Sequence, residues 1–171
     1  VETEGEAAGV RAADERELLA LSVAYAACAD ARDGEGLAAL FTEDGALVVP
    51  RPPSELRPVM VRSGHDALAQ VASLLGRYER TFHLVSTPRF EVDGDEATGE
   101  VPCVAHHLSS PAVPGAADPG ADGPAGTDTV WFIRYRDRYR RAGSVWRIVR
   151  RELHLQWVEE HPVTLLGTPP D

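Results

Sequence analysis

Asp30, His83 and His107 are the residues of this chain whose types and surroundings best suit proton transfer. His83 sits inside Thr81-Phe82-His83-Leu84-Val85-Ser86, an apolar stretch that reads as a strand. An imidazole there is either a satisfied core histidine or one held by a partner. A carboxylate partner would fix its tautomer and make it a better base. Asp30 ends an apolar helix on the spacing Leu19, Val23, Ala26, Asp30, a row expected to face inward. Alternatively, Asp30 and Asp33 simply end that helix in solvent. Along residues 96–108 side chains alternate between two faces. Ala97, Gly99, Val101, Cys103, Ala105 and His107 form one row, small or apolar until its last member, and His106 belongs to the other. Parity therefore places His107, not His106, on the concave side with His83. Adjacent histidines on opposite faces, with no His-x-His and no spaced carboxylate pair, argue against a metal site. His65, His154 and His161 read as solvated.

The elements that must position these groups follow from periodicity and punctuation. Residues 14–33 form the first helix, apolar or small nearly all the way round and so expected to be covered on most sides. Residues 1–13 read as a disordered leader. After Gly34 and Gly36, residues 37–41 restart as a short helix, and Thr42-Glu43-Asp44-Gly45 turns into a strand at 46–49. A Pro-rich loop (50–58) precedes a short strand at 59–61. Gly64-His65-Asp66 opens a third helix. The chain is then mostly strands, at 81–86, 89–93, 96–108, 128–140 and 145–159. Asp93-Gly94-Asp95 and residues 141–144 form the turns. Residues 109–127, rich in Pro, Gly and Ala, read as a flexible loop or lid, and 161–171 as a tail. Helices first and an antiparallel sheet afterwards imply an α+β domain over residues 14–160, with helices on one face of a curved sheet.

Composition narrows the partners. A net charge of −10 argues against nucleic acid and an anionic membrane surface. No apolar run approaches the roughly 20 residues that span a bilayer. All 17 basic residues are arginine, which removes Schiff-base and phosphate-loop lysine chemistry. The Ala, Arg and Gly excess reads as the codon bias of a GC-rich genome. Cys28 and Cys103 read as buried free thiols, giving a cytoplasmic expectation. In the strand 128–140, Arg134, Arg136, Arg138 and Arg140 face solvent or a neighbouring subunit, and Ile133, Tyr135, Asp137 and Tyr139 face the opposite way. Trp131, Trp146 and Trp157 read as core or rim packing.

The run Tyr25…Asp30…Asp33…Leu37…Phe41, then Thr81-x-His83, Val92-Asp93-Gly94-Asp95 leading to Ala97-Thr98-Gly99, and Tyr139…Trp146-Arg147-Ile148 resemble the SnoaL-like group of the nuclear transport factor 2-like superfamily. Within it the likeness is nearest to scytalone dehydratase and bile-acid 7α-dehydratase. The resemblance implies a cystatin-like cone of curved, mixed but largely antiparallel sheet, closed by about three helices around a pocket. It also implies a catalytic Asp30–His83 pair with His107 as a second catalytic histidine. Tyr25, Val49, Ile133, Tyr135 and Leu153 are then the substrate-binding positions. Val49 stands where both dehydratases carry a tyrosine. Ile133 and Tyr135 stand where the scytalone enzyme has serine and asparagine.

The implied protein is a cofactor-independent acid–base enzyme: a dehydratase, isomerase or cyclase in bacterial secondary metabolism. Its substrate would be a small apolar carbonyl compound, polyketide- or steroid-like. His83 would act as base, Tyr25 or Tyr135 would bind the enolate oxygen, and His107 or the new imidazolium would protonate a leaving hydroxyl. The expected partners are the substrate and further copies of the chain, as a dimer or trimer. The alternatives are epoxide opening, with Asp30, Asp137 and Arg151 as its charged groups, and a non-catalytic binding or subunit-assembly domain.

Overall fold

Three strands of 14, 17 and 19 residues alternate inward and outward side chains and make the backbone of the structure. A computed structural model describes residues 4–109 and 126–164 of the 171, with side chains from residue 9 onward. In chain order the elements are α1 (Glu4–Ala31), α2 (Gly34–Ala39), β1 (Phe41–Arg51), β2 (Glu55–Ser63) and α3 (His65–Leu74). A 3₁₀ turn (Leu75–Arg77) leads to β3 (Arg80–Val85), β4 (Arg89–Asp93), β5 (Glu96–Ser109), β6 (Gly126–Ala142) and β7 (Val145–Val163). The sheet order is β2-β1-β7-β6-β5-β3, with β4 also paired to β5. β3 takes the far half of β5 and β4 the near half, so the two lie end to end along one strand. All pairings are antiparallel except β1 with β7. Gly94 (φ 60°) and Gly143 (φ 66°) supply the left-handed residues of the β4–β5 and β6–β7 turns.

Register shifts in β1 and at two points of the β6–β7 ladder bend the sheet toward the helices without closing it. The concave face and the helices share one core: Leu18, Tyr25 and Ala29 of α1, Leu37 of α2 and Leu68 of α3 pack with Leu47, Val101, Tyr135, Trp146 and Ile148 of the sheet. The parity expected for β5 and β6 holds. Val101, Cys103, Ala105 and His107 are buried, as are Ile133, Tyr135, Asp137 and Tyr139, while Arg134, Arg136, Arg138 and Arg140 are exposed. Of the tryptophans, Trp146 is buried in the core, whereas Trp157 is on the convex face, stacked on Phe132 at 4.1 Å and about half exposed.

Several element boundaries differ from the sequence reading. α1 begins at Glu4, inside the stretch expected to be a disordered leader. Its Glu- and Ala-rich start favours helix, with the acidic groups complementing the helix dipole. Asp14, expected at the helix start, is buried mid-helix, where its Oδ1 accepts from Arg141 at 2.6 Å and from Trp146 Nε1 at 3.2 Å. The inward face of α1 is Leu18, Leu21, Ser22, Tyr25, Ala26 and Ala29, and Leu19 and Val23 point out at 37% and 50% exposure. An alanine-rich helix without a polar face carries almost no periodic signal. β1 starts at Phe41, absorbing the expected turn as an irregularity between Phe41 and Ala46. β2 starts at Glu55, within the expected Pro-rich loop, because an edge strand tolerates Pro58. β7 runs to Val163, into the expected tail. Cys28 is only half buried. The expected lid at 109–127 falls almost wholly outside the described residues.

Candidate active site

Two elements meet at the centre of the site, the C-terminal turn of α1 and the edge strand β3. Because β3 alternates, Thr81, His83 and Val85 turn inward and Phe82 and Leu84 outward, the last two more than half exposed. Register places His83 beside Ala105 and Thr81 beside His107 on β5. The small Ala105 leaves room for the imidazole, and Asp30 closes on it from the helix. Asp30 Oδ1 is 2.7 Å from His83 Nδ1, and Asp30 Oδ2 accepts the His83 backbone N–H at 2.9 Å. A nitrogen that close to a carboxylate carries the proton, so Nε2 is the lone-pair nitrogen. The His83 side chain is only 7% exposed.

A third contact explains why the carboxylate holds its place. The Thr81 hydroxyl donates to Asp30 Oδ1 at 2.9 Å and itself accepts from Arg32 Nη1 at 2.7 Å. An arginine can only donate, so the direction of this relay is fixed. Arg32 also reaches back to the carbonyls of Ala29 and Tyr78, at a backbone φ of 60°. Burial works to raise the pKa of Asp30, but the hydrogen bonds from His83 and Thr81 outweigh it and hold the carboxyl below its ordinary value.

His107 is 5.8 Å from His83, centroid to centroid, and nearly perpendicular to it. Its ring lies between Tyr78 and Trp131, each 4.7 Å away, and its Nδ1 donates to the Thr129 carbonyl at 3.1 Å. Burial, the largest influence, pushes its pKa down to about 4, outweighing the Thr129 contact. A ring held that low is neutral at pH 7, and with Nδ1 donating to the carbonyl its Nε2 is an acceptor. His106 lies on the opposite face, 2.6 Å from Asp128.

His83 and His107 line a cavity of about 440 Å³ together with Tyr25, Val49, Ile133, Tyr135 and Leu153, so the structure gathers these sequence-expected positions around one space. Asp30 stands behind His83 and does not line it. Burial raises the phenol of Tyr25 to about 12 and that of Tyr135 well above its ordinary value, so both remain O–H donors. Sequence reasoning missed Thr81, Arg32 and Tyr78 at the site, and Arg51, Arg62 and Arg77 on the cavity wall. Thr81 could have been found, since it shares the parity of His83. Asp137 and Arg151 are enclosed beneath Tyr25 and Tyr135 and do not face the cavity, so the epoxide-opening arrangement loses its charged pair. Among the described residues no group of three potential metal-ligating side chains comes together, and no helix is long and apolar enough to cross a membrane.

Helices on one face of a sheet that curls without closing define the nuclear transport factor 2-like class, with its cystatin-like fold. Within it, the SnoaL-like domain model matches residues 10–152, and the chain belongs to that family. Among solved structures it is similar to Rv3472 of Mycobacterium tuberculosis, a protein of unknown function. That match has 28% identity over 87% of this chain and 75% of the other, with a TM-score of 0.69. A candidate scytalone dehydratase from Novosphingobium aromaticivorans is 20% identical over 95% and 99%, with a TM-score of 0.68. Hexachlorocyclohexane dehydrochlorinase LinA-type3 from Novosphingobium barchaimii is 15% identical over 94% and 97%, with a TM-score of 0.69. The last two likenesses are of fold. No protein of curated function matches the sequence.

Proposed function

We propose that this protein is a cofactor-independent acid–base enzyme that removes a proton α to the carbonyl of a small, largely apolar metabolite. The observation that carries this reading is the 2.7 Å contact of Asp30 with His83 Nδ1, the imidazole on the cavity wall and the carboxylate behind it. His83 Nε2 takes the α-proton, and Asp30 stabilises the imidazolium that results. The Tyr25 or Tyr135 hydroxyl donates to the developing enolate oxygen. The proton on His83 then passes to a departing hydroxyl, giving dehydration, or to another carbon, giving isomerisation. In a cyclase the enolate carbon attacks a second carbonyl instead. His107, neutral, accepts a hydrogen bond from a substrate hydroxyl and orients it. Two structural neighbours are named for eliminations, a dehydratase and a dehydrochlorinase, which favours the first outcome.

The test is solvent-deuterium exchange on a panel of polycyclic β-hydroxy ketones, read by mass spectrometry for deuterium gain and for loss of water. Exchange reports enolate formation whichever product follows. Asp30→Asn and His83→Ala are expected to lower it by about 10²–10⁴-fold with the fold intact. Undiminished exchange in either variant overturns the assignment.

A further inference from the structure

The cavity wall is charged in the opposite sense to the protein. The chain carries a net charge of −10, yet the cavity is lined by three arginines, Arg51, Arg62 and Arg77, against a single carboxylate, Glu160. Arg62 is the most informative of them. The inward row of β2 is Leu56, Pro58, Met60 and Arg62, each half buried, while Arg57, Val59, Val61 and Ser63 are exposed. Arg62 also pairs across the ladder with Leu47, which is 0% exposed. Its stem therefore lies on the concave face beside an apolar wall. Among the described residues neither Arg62 nor Arg51 has an ion-pair or hydrogen-bond partner for its guanidinium, whereas Arg77 donates to the Tyr78 hydroxyl at 2.9 Å. Arg51 is exposed, but Arg62 is half buried, and a cation drawn part-way out of water with no counter-charge is costly to hold, a cost that a ligand anion would offset.

We infer that the cavity binds an organic acid, an apolar body whose carboxylate is received by Arg62, with Arg51 adding to the positive field. Guanidinium and carboxylate match as a planar, two-point pair, which makes a carboxylate a fitting partner for an isolated arginine. β2 and β3 are the two ends of the strand order, so Arg62 and His83 reach the cavity from opposite edges of the sheet. The anionic group then sits away from the base, and the carbonyl end of the same molecule faces His83. This deepens the proposed acid–base function by naming the substrate class, and in that sense rests on it. The binding site itself does not require turnover.

The experiment compares 2-naphthoate with 2-naphthamide, two ligands of nearly equal shape differing in charge, by isothermal titration calorimetry. The wild-type protein is expected to bind the carboxylate about tenfold or more tightly than the amide. Arg62→Gln should abolish the preference, and Arg62→Lys, which keeps the charge but not the fork, should keep part of it. Melting curves establish that each variant is folded. Equal affinities, no naphthoate binding up to about 1 mM, or a full preference in folded Arg62→Gln would overturn the inference. The two readings separate cleanly. A carboxylate preference without solvent exchange on any substrate leaves the anion site standing and removes the base, while exchange without a preference removes the anion site alone.

Discussion

At the scale of single residues, the two cavity histidines are tuned in different ways. His83 has a carboxylate at Nδ1, so its ring can take a proton at Nε2 and have the charge compensated. His107 has only a backbone carbonyl and two aromatic faces, and burial holds its pKa down at about 4. The sign of the stability effect follows. Above the unfolded-state value near 6.5, neither the folded nor the unfolded chain protonates His107, and its packing contributes in full. As pH falls below that value the unfolded chain takes up a proton that the folded chain refuses, so stability declines until about pH 4, where both are protonated. The loss across this window is about 3 kcal/mol. Chemical denaturation at pH 7 and pH 4 is expected to show it, and His107→Phe, which keeps the aromatic packing, should remove most of it. A slope unchanged in that variant would assign the acid sensitivity elsewhere.

At the scale of elements, the end of α1 does more than terminate a helix. Arg32 adopts φ 60°, a conformation that glycine takes freely and other residues at a cost of roughly 1 kcal/mol. Its guanidinium spans from the helix end to Thr81 and the Tyr78 carbonyl, tying α1 to β3 where Asp30 meets His83. Arg32→Gly and Arg32→Ala both remove that tie, but only alanine keeps the backbone strain. Arg32→Ala is expected to be about 1 kcal/mol less stable than Arg32→Gly, with both lowering solvent exchange relative to wild type. Equal stabilities would show that the left-handed turn is not strained. None of this was legible in the sequence, because a non-glycine residue gives no sign of a left-handed turn. The inward side of α1 was equally hidden by its uniform alanine and leucine. Strand parity, by contrast, was plain in β3, β5 and β6, and it placed His83 and His107 on one face. β2 was read too short to show its inward row, and so Arg62 went unseen.

At the scale of the molecule, the cavity rests on a buried charged pair that does not face it. Arg151 and Asp137, both fully buried, form a two-point pair at 2.7 and 2.9 Å, and Arg151 also donates to Ser22 of α1 at 3.0 Å. The guanidinium carbon lies 4.4 Å from the ring centres of both Tyr25 and Tyr135, while Nη1 makes no hydrogen bond. Burial disfavours the arginine's charge, but Asp137 outweighs this and raises its pKa. The pair thus joins α1, β6 and β7 and supports the two phenols that line the cavity. Breaking it leaves a charge buried and unmatched, so Asp137→Asn is expected to cost about 3–5 kcal/mol. Replacing both partners together, Asp137→Leu with Arg151→Met, removes the desolvation cost along with the attraction and should cost far less than that. Urea titrations of the three proteins measure the difference. If the double variant were as unstable as the single one, the pair would be needed for its shape and its contacts with the tyrosines, not for the balance of its charges.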